Sequence, residues 1–469
     1  MRLSAAVLDQ VPSDTERFGY DREAQPVGIV HFGIGAFHRA HQAWYTDRAM
    51  DAGDRAWAIL GVSLRAPDVA AQLCPQDGLY TVTERIMGCK QTRLIGAVRR
   101  VLVAGADAAA VIAAVAAPTT RIVSFTVTEK GYCRADDGSL DFGKAGAGSL
   151  YRFVADGLRR RHDADLPGLT LLSCDNLADN GGQLTALMRH YLDRHDPALL
   201  GWFDRECTCP ATMVDRIVPA TTAADRDGAA RALGGLRDEA GVVTEPFSQW
   251  IVEDRFAGPR PRWDRVGATF VADVAPYETA KLRMLNGAHS ALAYLGLERG
   301  YHYVHQAIAD PALQTLVWRL MREEAAPTIV PAPRQNLAAY AASLIDRFSN
   351  PALNHRLIQI AMDGSQKLPQ RWLATLADNR QNGRACPAIL TALSAWLRHL
   401  RGDNGPVDDP RAAELGGLWR GSDMAGVADA FFGPSGRFAT DWTMTPDDRK
   451  QLLAANAAVP LPDSREART

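Results

Sequence analysis

The run GIVHFGIG at residues 28–35, leading into FHRAHQAWYTDRAM, constrains this chain more than any other stretch. A short β-rich run that closes on two glycines and gives way to helical composition reads as strand, turn and helix. Gly33 and Gly35 let the backbone bend tightly there and approach a pyrophosphate at the positive end of the helix. Such a turn favours a dinucleotide, and Gly33, Ile34, Gly35, Ala36, Phe37 and His38 are its expected contacts. The fingerprint is incomplete, because His38 stands where a third glycine is usual. Two glycines alone leave a strand-to-helix turn without ligand as an open alternative.

Further apolar runs, WAILGVSL at 57–64, RIVSFTVT at 121–128 and LTLLSC at 169–174, are short and bounded by polar residues, as buried parallel strands are. Helical stretches such as ADAAAVIAAVAA and GGQLTALMRHYLDRH lie between them. Alternation of this kind predicts an α/β fold with an N-terminal Rossmann-type doubly wound domain. From Tyr277 onward the patterns are helical, at 279–296, 311–325, 337–348 and 387–401, and predict a mainly α-helical second domain. A length of 469 residues suits two cores, with expected boundaries at 1–276 and 277–457. Residues 458–469, with two prolines and many charges, are expected to be a loose tail.

A net charge of -2 gives no drive toward nucleic acid, so a small-molecule ligand is expected. The cysteines, seven in all and scattered, do not form a secreted disulfide framework. Asp9, Asp14 and Glu16 interrupt the place a signal peptide would need, and AAAVIAAVAA at 108–117 is half of the roughly 20 residues that span a bilayer. The expectation is a cytoplasmic protein without membrane association.

The segment KLRMLNGAH at 281–289 carries the chemistry. At 100° per residue on a regular helix, Lys281, Asn286 and His289 fall within one arc of about 140° and converge on one ligand. Alcohol oxidation needs a group to take the hydroxyl proton, donors for the developing oxyanion and a hydride acceptor, and these side chains supply the first two. A lysine base needs its pKa brought toward neutrality by burial or nearby cations, for which Arg283 and His289 are placed. The plain alternative is that Lys281 and Arg283 face solvent and Asn286 merely interrupts a core helix. A second polar cluster, SCDNLADNG at 173–181, follows a strand at its carboxyl end, where α/β sheets place ligands, and Asn176 offers a second amide there. An Asx turn feeding a helix explains it equally. No acidic residue closes the second strand to grip a ribose; Arg65 stands there and would suit a 2′-phosphate. NAD is the expected cofactor, with NADP not excluded.

Seven ordered segments, IVHFGIGAFHRAHQAWYTD, FTVTEKGY, SCDNLADNG, TMVDRIVPA, EPFSQWIVED, KLRMLNGAH and RFSNPALNHRLIQIAMDGSQKLPQR, resemble the polyol-specific long-chain dehydrogenases, the mannitol dehydrogenase family, over residues 28–375. The resemblance implies a Rossmann-type domain followed by a helical domain, a site in the cleft between them and no metal. It implies Lys281 as general base, Asn176 and Asn286 as the oxyanion pair and His289 as a positioner of substrate hydroxyls. It further places Glu129 and Glu278 near the proton's exit path and Asp215 at the substrate pocket. Family members of this kind are monomers or small homo-oligomers that act on a sugar acid or polyol.

Within the family, HRLIQIAMDGSQKLPQR looks most like the branch acting on sugar acids, so D-mannonate and D-fructuronate are the expected pair, with mannitol or arabinitol as alternatives. A carboxylate calls for a cation, and Lys367, Arg356 and Arg371 are the candidates. Mannitol-type enzymes carry an arginine near the place of Gln359, a departure that weakens the polyol reading. His31, His38, His41, Cys207 and Cys209 lack the paired spacing of a zinc site. A non-catalytic dinucleotide-binding regulator would keep the glycine turn without needing the lysine, asparagines and histidine.

Overall fold

In the computed structural model, which describes residues 1–86, 89–135, 137–333 and 335–455, the apolar runs pair into one parallel sheet. Its strands are β1 (Val27–Phe32), β2 (Ala58–Ser63), β3 (Val98–Val103), β4 (Ile122–Phe125) and β5 (Thr170–Ser173). They lie in the order β3-β2-β1-β4-β5, the arrangement of a doubly wound nucleotide-binding sheet. Side chains alternate between two cores: Val30, Phe32, Val123 and Phe125 enter one, and Ile29, Ile59 and Ile122 enter the other. Burial on both faces is why these runs look continuously apolar. Edge strand β3, VRRVLV, escapes that signature because Arg99 and Arg100 interrupt it.

The helix expected after the glycine turn is two helices, Ala36–Ala40 and Gln42–Asp51, broken at His41 with φ -123° and ψ -97°. Two smaller sheets were not legible as apolar runs. Tyr80–Ile86 and Cys89–Ile95 pair antiparallel within one, and Thr212–Asp215, Gln249–Glu253 and Thr269–Val271 form the other.

The chain divides into two compact units, Met1–Val274 and Ala275–Thr469. The second is helical around Gly287–Glu298, whose residues are buried continuously from Gly287 to Gly296. A helix apolar on all sides belongs at the centre of its core, and Pro387–Arg401, Leu357–Ile360 and Val304–Ala309 pack around it. The tail expected at 458–469 lies outside the described residues. Among the described residues no helix is long and apolar enough to cross a membrane.

Candidate active site

At the glycine turn, Gly33 has φ +91°, and a Cβ there would collide with the Thr126 carbonyl. Only glycine fits without strain. The Gly33 N–H donates to the Val62 carbonyl at 2.8 Å, which ties the turn to β2. Gly35 is different: it precedes helix Ala36–Ala40 with φ -76°, and the nearest atom to a Cβ is 3.8 Å away. That open space beside the first N–H groups of a helix fits a phosphate. Ile34 is buried, while Ala36 and Phe37 are partly exposed.

His38 meets the turn through its backbone. Its side chain is fully buried and stacked on His31 at 3.4 Å between ring centroids, so at the turn it offers its backbone N–H and not its imidazole. His31 is fixed in turn by Ser124 Oγ at 2.8 Å and Thr126 Oγ1 at 2.9 Å, and burial pushes its pKa down to about 3. Burial, reinforced by His31 and Arg39, likewise holds His38 neutral, far below the usual histidine range. A neutral stacked pair thus supports the turn from below. Arg65 is exposed just past the end of β2.

The cluster after β5 is organised by a residue the sequence did not single out. The Asp175 carboxylate accepts the Val127 N–H at 2.9 Å, the Thr128 N–H at 3.0 Å and the Tyr132 hydroxyl at 2.9 Å. Tyr132 also meets Ser173 Oγ at 2.6 Å. Burial pushes the Asp175 carboxyl up to about 6, against the pull of these three donors. Asn180 donates to the carbonyls of Asp175 at 3.1 Å and Thr212 at 2.9 Å, which fixes the loop's other end. On this scaffold Asn176 and Glu129 are exposed, and Asp215 is buried at the end of strand Thr212–Asp215.

In the second unit, Lys281–Asn286 is a π-helical segment between helices Ala275–Ala280 and Gly287–Glu298. The Gly287 N–H reaches back five residues to the Leu282 carbonyl. Each residue of so wide a turn advances less than 100°, so the 140° separation of a regular helix overstates the gap between Lys281 and Asn286. Lys281, Asn286 and His289 are each 7% exposed, which removes the solvent-facing alternative for the lysine. Asn286 Nδ2 and His289 Nε2 are buried without a hydrogen-bond partner among the described residues. Burial, then His355, Arg347 and Arg371, push His289 well below the usual histidine range. Its ring leans on Phe348 at 4.5 Å and meets His355 edge-on at 5.4 Å.

Arg283 does not serve as expected, because it pairs with Asp378 at 2.5 Å and bonds the Thr328 carbonyl at 3.2 Å. With His289 neutral and Arg283 matched, neither brings net positive charge to the segment. The π segment Pro369–Leu373 packs beside Lys281–Asn286, and from it Arg371 donates to Ser290 Oγ at 2.7 Å and Trp372 to the Gly287 carbonyl at 3.1 Å.

Residues 27–265 match the Mannitol dehydrogenase Rossmann domain, and residues 273–416 match the Mannitol dehydrogenase C-terminal domain. The chain belongs to the mannitol dehydrogenase family. It is an oxidoreductase of the dehydrogenase class. Within the mannitol dehydrogenase family it is 39% identical to the D-mannonate oxidoreductase of Escherichia coli (strain K12), with 94% of each chain covered. It is 36% identical to a mannitol 2-dehydrogenase of Pyricularia oryzae, with 88% of each covered. The Pseudomonas fluorescens mannitol 2-dehydrogenase, solved in ternary complex with NAD and D-mannitol, superposes with a TM-score of 0.82 at 34% identity, covering 97% of this chain and 96% of that one.

The three cations considered for a carboxylate stand differently in this mannitol dehydrogenase family member. The Lys367 ammonium donates to the Met362 carbonyl at 2.6 Å, with Asp363 at 3.7 Å. Arg356 is exposed ahead of helix Leu357–Ile360, whereas Arg371 reaches the helix that carries His289. Glu278 is half-buried one turn before Lys281. Among the described residues no three His, Cys, Asp or Glu side chains are grouped to hold a metal ion.

Proposed function

We propose that this chain is an NAD-dependent secondary-alcohol dehydrogenase that interconverts D-mannonate and D-fructuronate. The observation carrying the proposal is the pair of polar atoms Asn286 Nδ2 and His289 Nε2, buried without a partner among the described residues, in the stretch that begins with the buried Lys281. Buried polar atoms are nearly always paired, and two within one turn call for a polar ligand. When bound, NAD supplies the hydride acceptor; the open space at Gly35 and the N–H groups of Ala36, Phe37 and His38 fit its pyrophosphate.

In the oxidising direction, the substrate hydroxyl gives its proton to the Lys281 amine while its carbon loses hydride. Asn286 donates to the oxygen as negative charge grows, and Asn176 is assigned as the second amide. Neutral His289 orients a neighbouring hydroxyl through Nε2. Glu278 and Glu129 pass the proton onward to water, and Asp215 binds a substrate hydroxyl. For the carboxylate, Arg371 is favoured over Lys367, whose ammonium is spent on its own loop.

The sugar-acid choice is supported by the likeness to D-mannonate oxidoreductase and by Gln359, which is neutral. Turnover followed by NADH absorbance should be high on D-mannonate and at least about tenfold lower in kcat/KM on D-mannitol, the margin expected when a half-buried cation loses its carboxylate. Activity on mannitol or arabinitol alone would replace the substrate assignment. Silence on a whole panel of sugar acids and polyols would favour a dinucleotide-binding regulator.

A further inference from the structure

We infer that Asp175 is a positioning residue that holds Glu129 in its working place by clamping the backbone turn before it. The inference rests on the proton-path role proposed for Glu129. Thr128, the residue directly before Glu129, has φ +61°. A β-branched side chain disfavours that conformation strongly, so something outside the turn must hold it. Two N–H groups of the turn, Val127 at 2.9 Å and Thr128 at 3.0 Å, point at opposite oxygens of one carboxylate, that of Asp175. Tyr132, at the far end of helix Thr128–Gly131, closes the clamp by donating to the same carboxylate at 2.9 Å. Asp175 itself is anchored: it stands two residues past the end of β5, and Asn180 donates to its backbone carbonyl at 3.1 Å.

An amide in place of this carboxylate presents an NH2 group to at least one of the donors it must accept, so the turn relaxes toward an ordinary conformation and Glu129 moves with it. The clamp acts on backbone N–H groups and the Tyr132 hydroxyl. Its effect on catalysis runs through Glu129, and that separates it from a purely structural ion.

A double-mutant cycle on the full-length enzyme with mannonate and NAD tests this, reading kcat, KM, NADH affinity and melting temperature. Asp175→Asn is expected to lower kcat roughly ten- to a hundredfold, the range for small misplacement of a working group, with NADH affinity little changed. In the Glu129→Gln background the same substitution should lower kcat by less than about threefold, because residues acting as one unit are not additive. Tyr132→Phe removes one donor, and should give a smaller loss with the same coupling; it serves in place of Asp175→Asn if that variant does not fold. Losses that multiply in the double variant would overturn the inference, as would wild-type kcat in Asp175→Asn beside a slowed Glu129→Gln. Wild-type kcat in Glu129→Gln alone would instead remove the proton-path role, and the inference with it.

Discussion

Gly33 and Gly35 sit two residues apart at one turn and carry different burdens. Gly33 answers to the protein, through its positive φ and the Thr126 carbonyl. Gly35 is proposed to answer to the pyrophosphate. Gly33→Ala is therefore expected to cost more than about 2 kcal/mol in denaturant unfolding and to weaken NADH binding. Gly35→Ala should stay within about 1 kcal/mol of wild type while losing NADH affinity. Unfolding curves and NADH fluorescence titrations separate the two, and equal stability losses would contradict this division of roles. The glycines were legible because their spacing is local. The role of His38 was not, since its stack on His31 joins a helix to a strand through tertiary packing.

At the scale of elements, local pattern found β1, β2, β4 and β5, whose two buried faces leave continuous apolar runs, and missed β3, where Arg99 and Arg100 interrupt the run at the sheet edge. It found the helix bearing Lys281 but assumed a regular turn, because a π segment depends on neighbours such as Trp372 that lie 85 residues on. Another π segment, Leu320–Ala325, presents Glu324, whose buried carboxylate accepts the Ala388 and Ile389 N–H groups at 2.7 and 2.9 Å at the start of helix Pro387–Arg401. Burial outweighs those donors and pushes this carboxyl from 4.5 up to about 7. Because the folded chain then holds the proton more tightly, the unfolded chain releases it first as pH rises. The stability from this group should accordingly fall between about pH 4.5 and 7, by at most about 3 kcal/mol, and stay lost above. Glu324→Gln removes the titration, so its melting temperature should change less between about pH 5 and about pH 7.5 than that of the wild type. An unchanged pH response would contradict the assignment.

Across the whole molecule, the fold class and the family were legible because seven motifs recur in order along most of the chain, so that chance agreement at one is checked by the others. Asp175 and Asn180 stayed hidden inside one of those motifs, since their partners, Val127 and Thr212, are distant in sequence. Spacing could nominate Lys281, Asn286 and His289; burial of all three, with atoms on two that have no partner among the described residues, is what spacing cannot supply. The central claim is that Lys281 takes the hydroxyl proton. Steady-state turnover of Lys281→Ala on D-mannonate with NAD, beside NADH binding by fluorescence, tests it most directly. Turnover should fall by at least about a hundredfold with NADH binding intact, and wild-type turnover would contradict the claim.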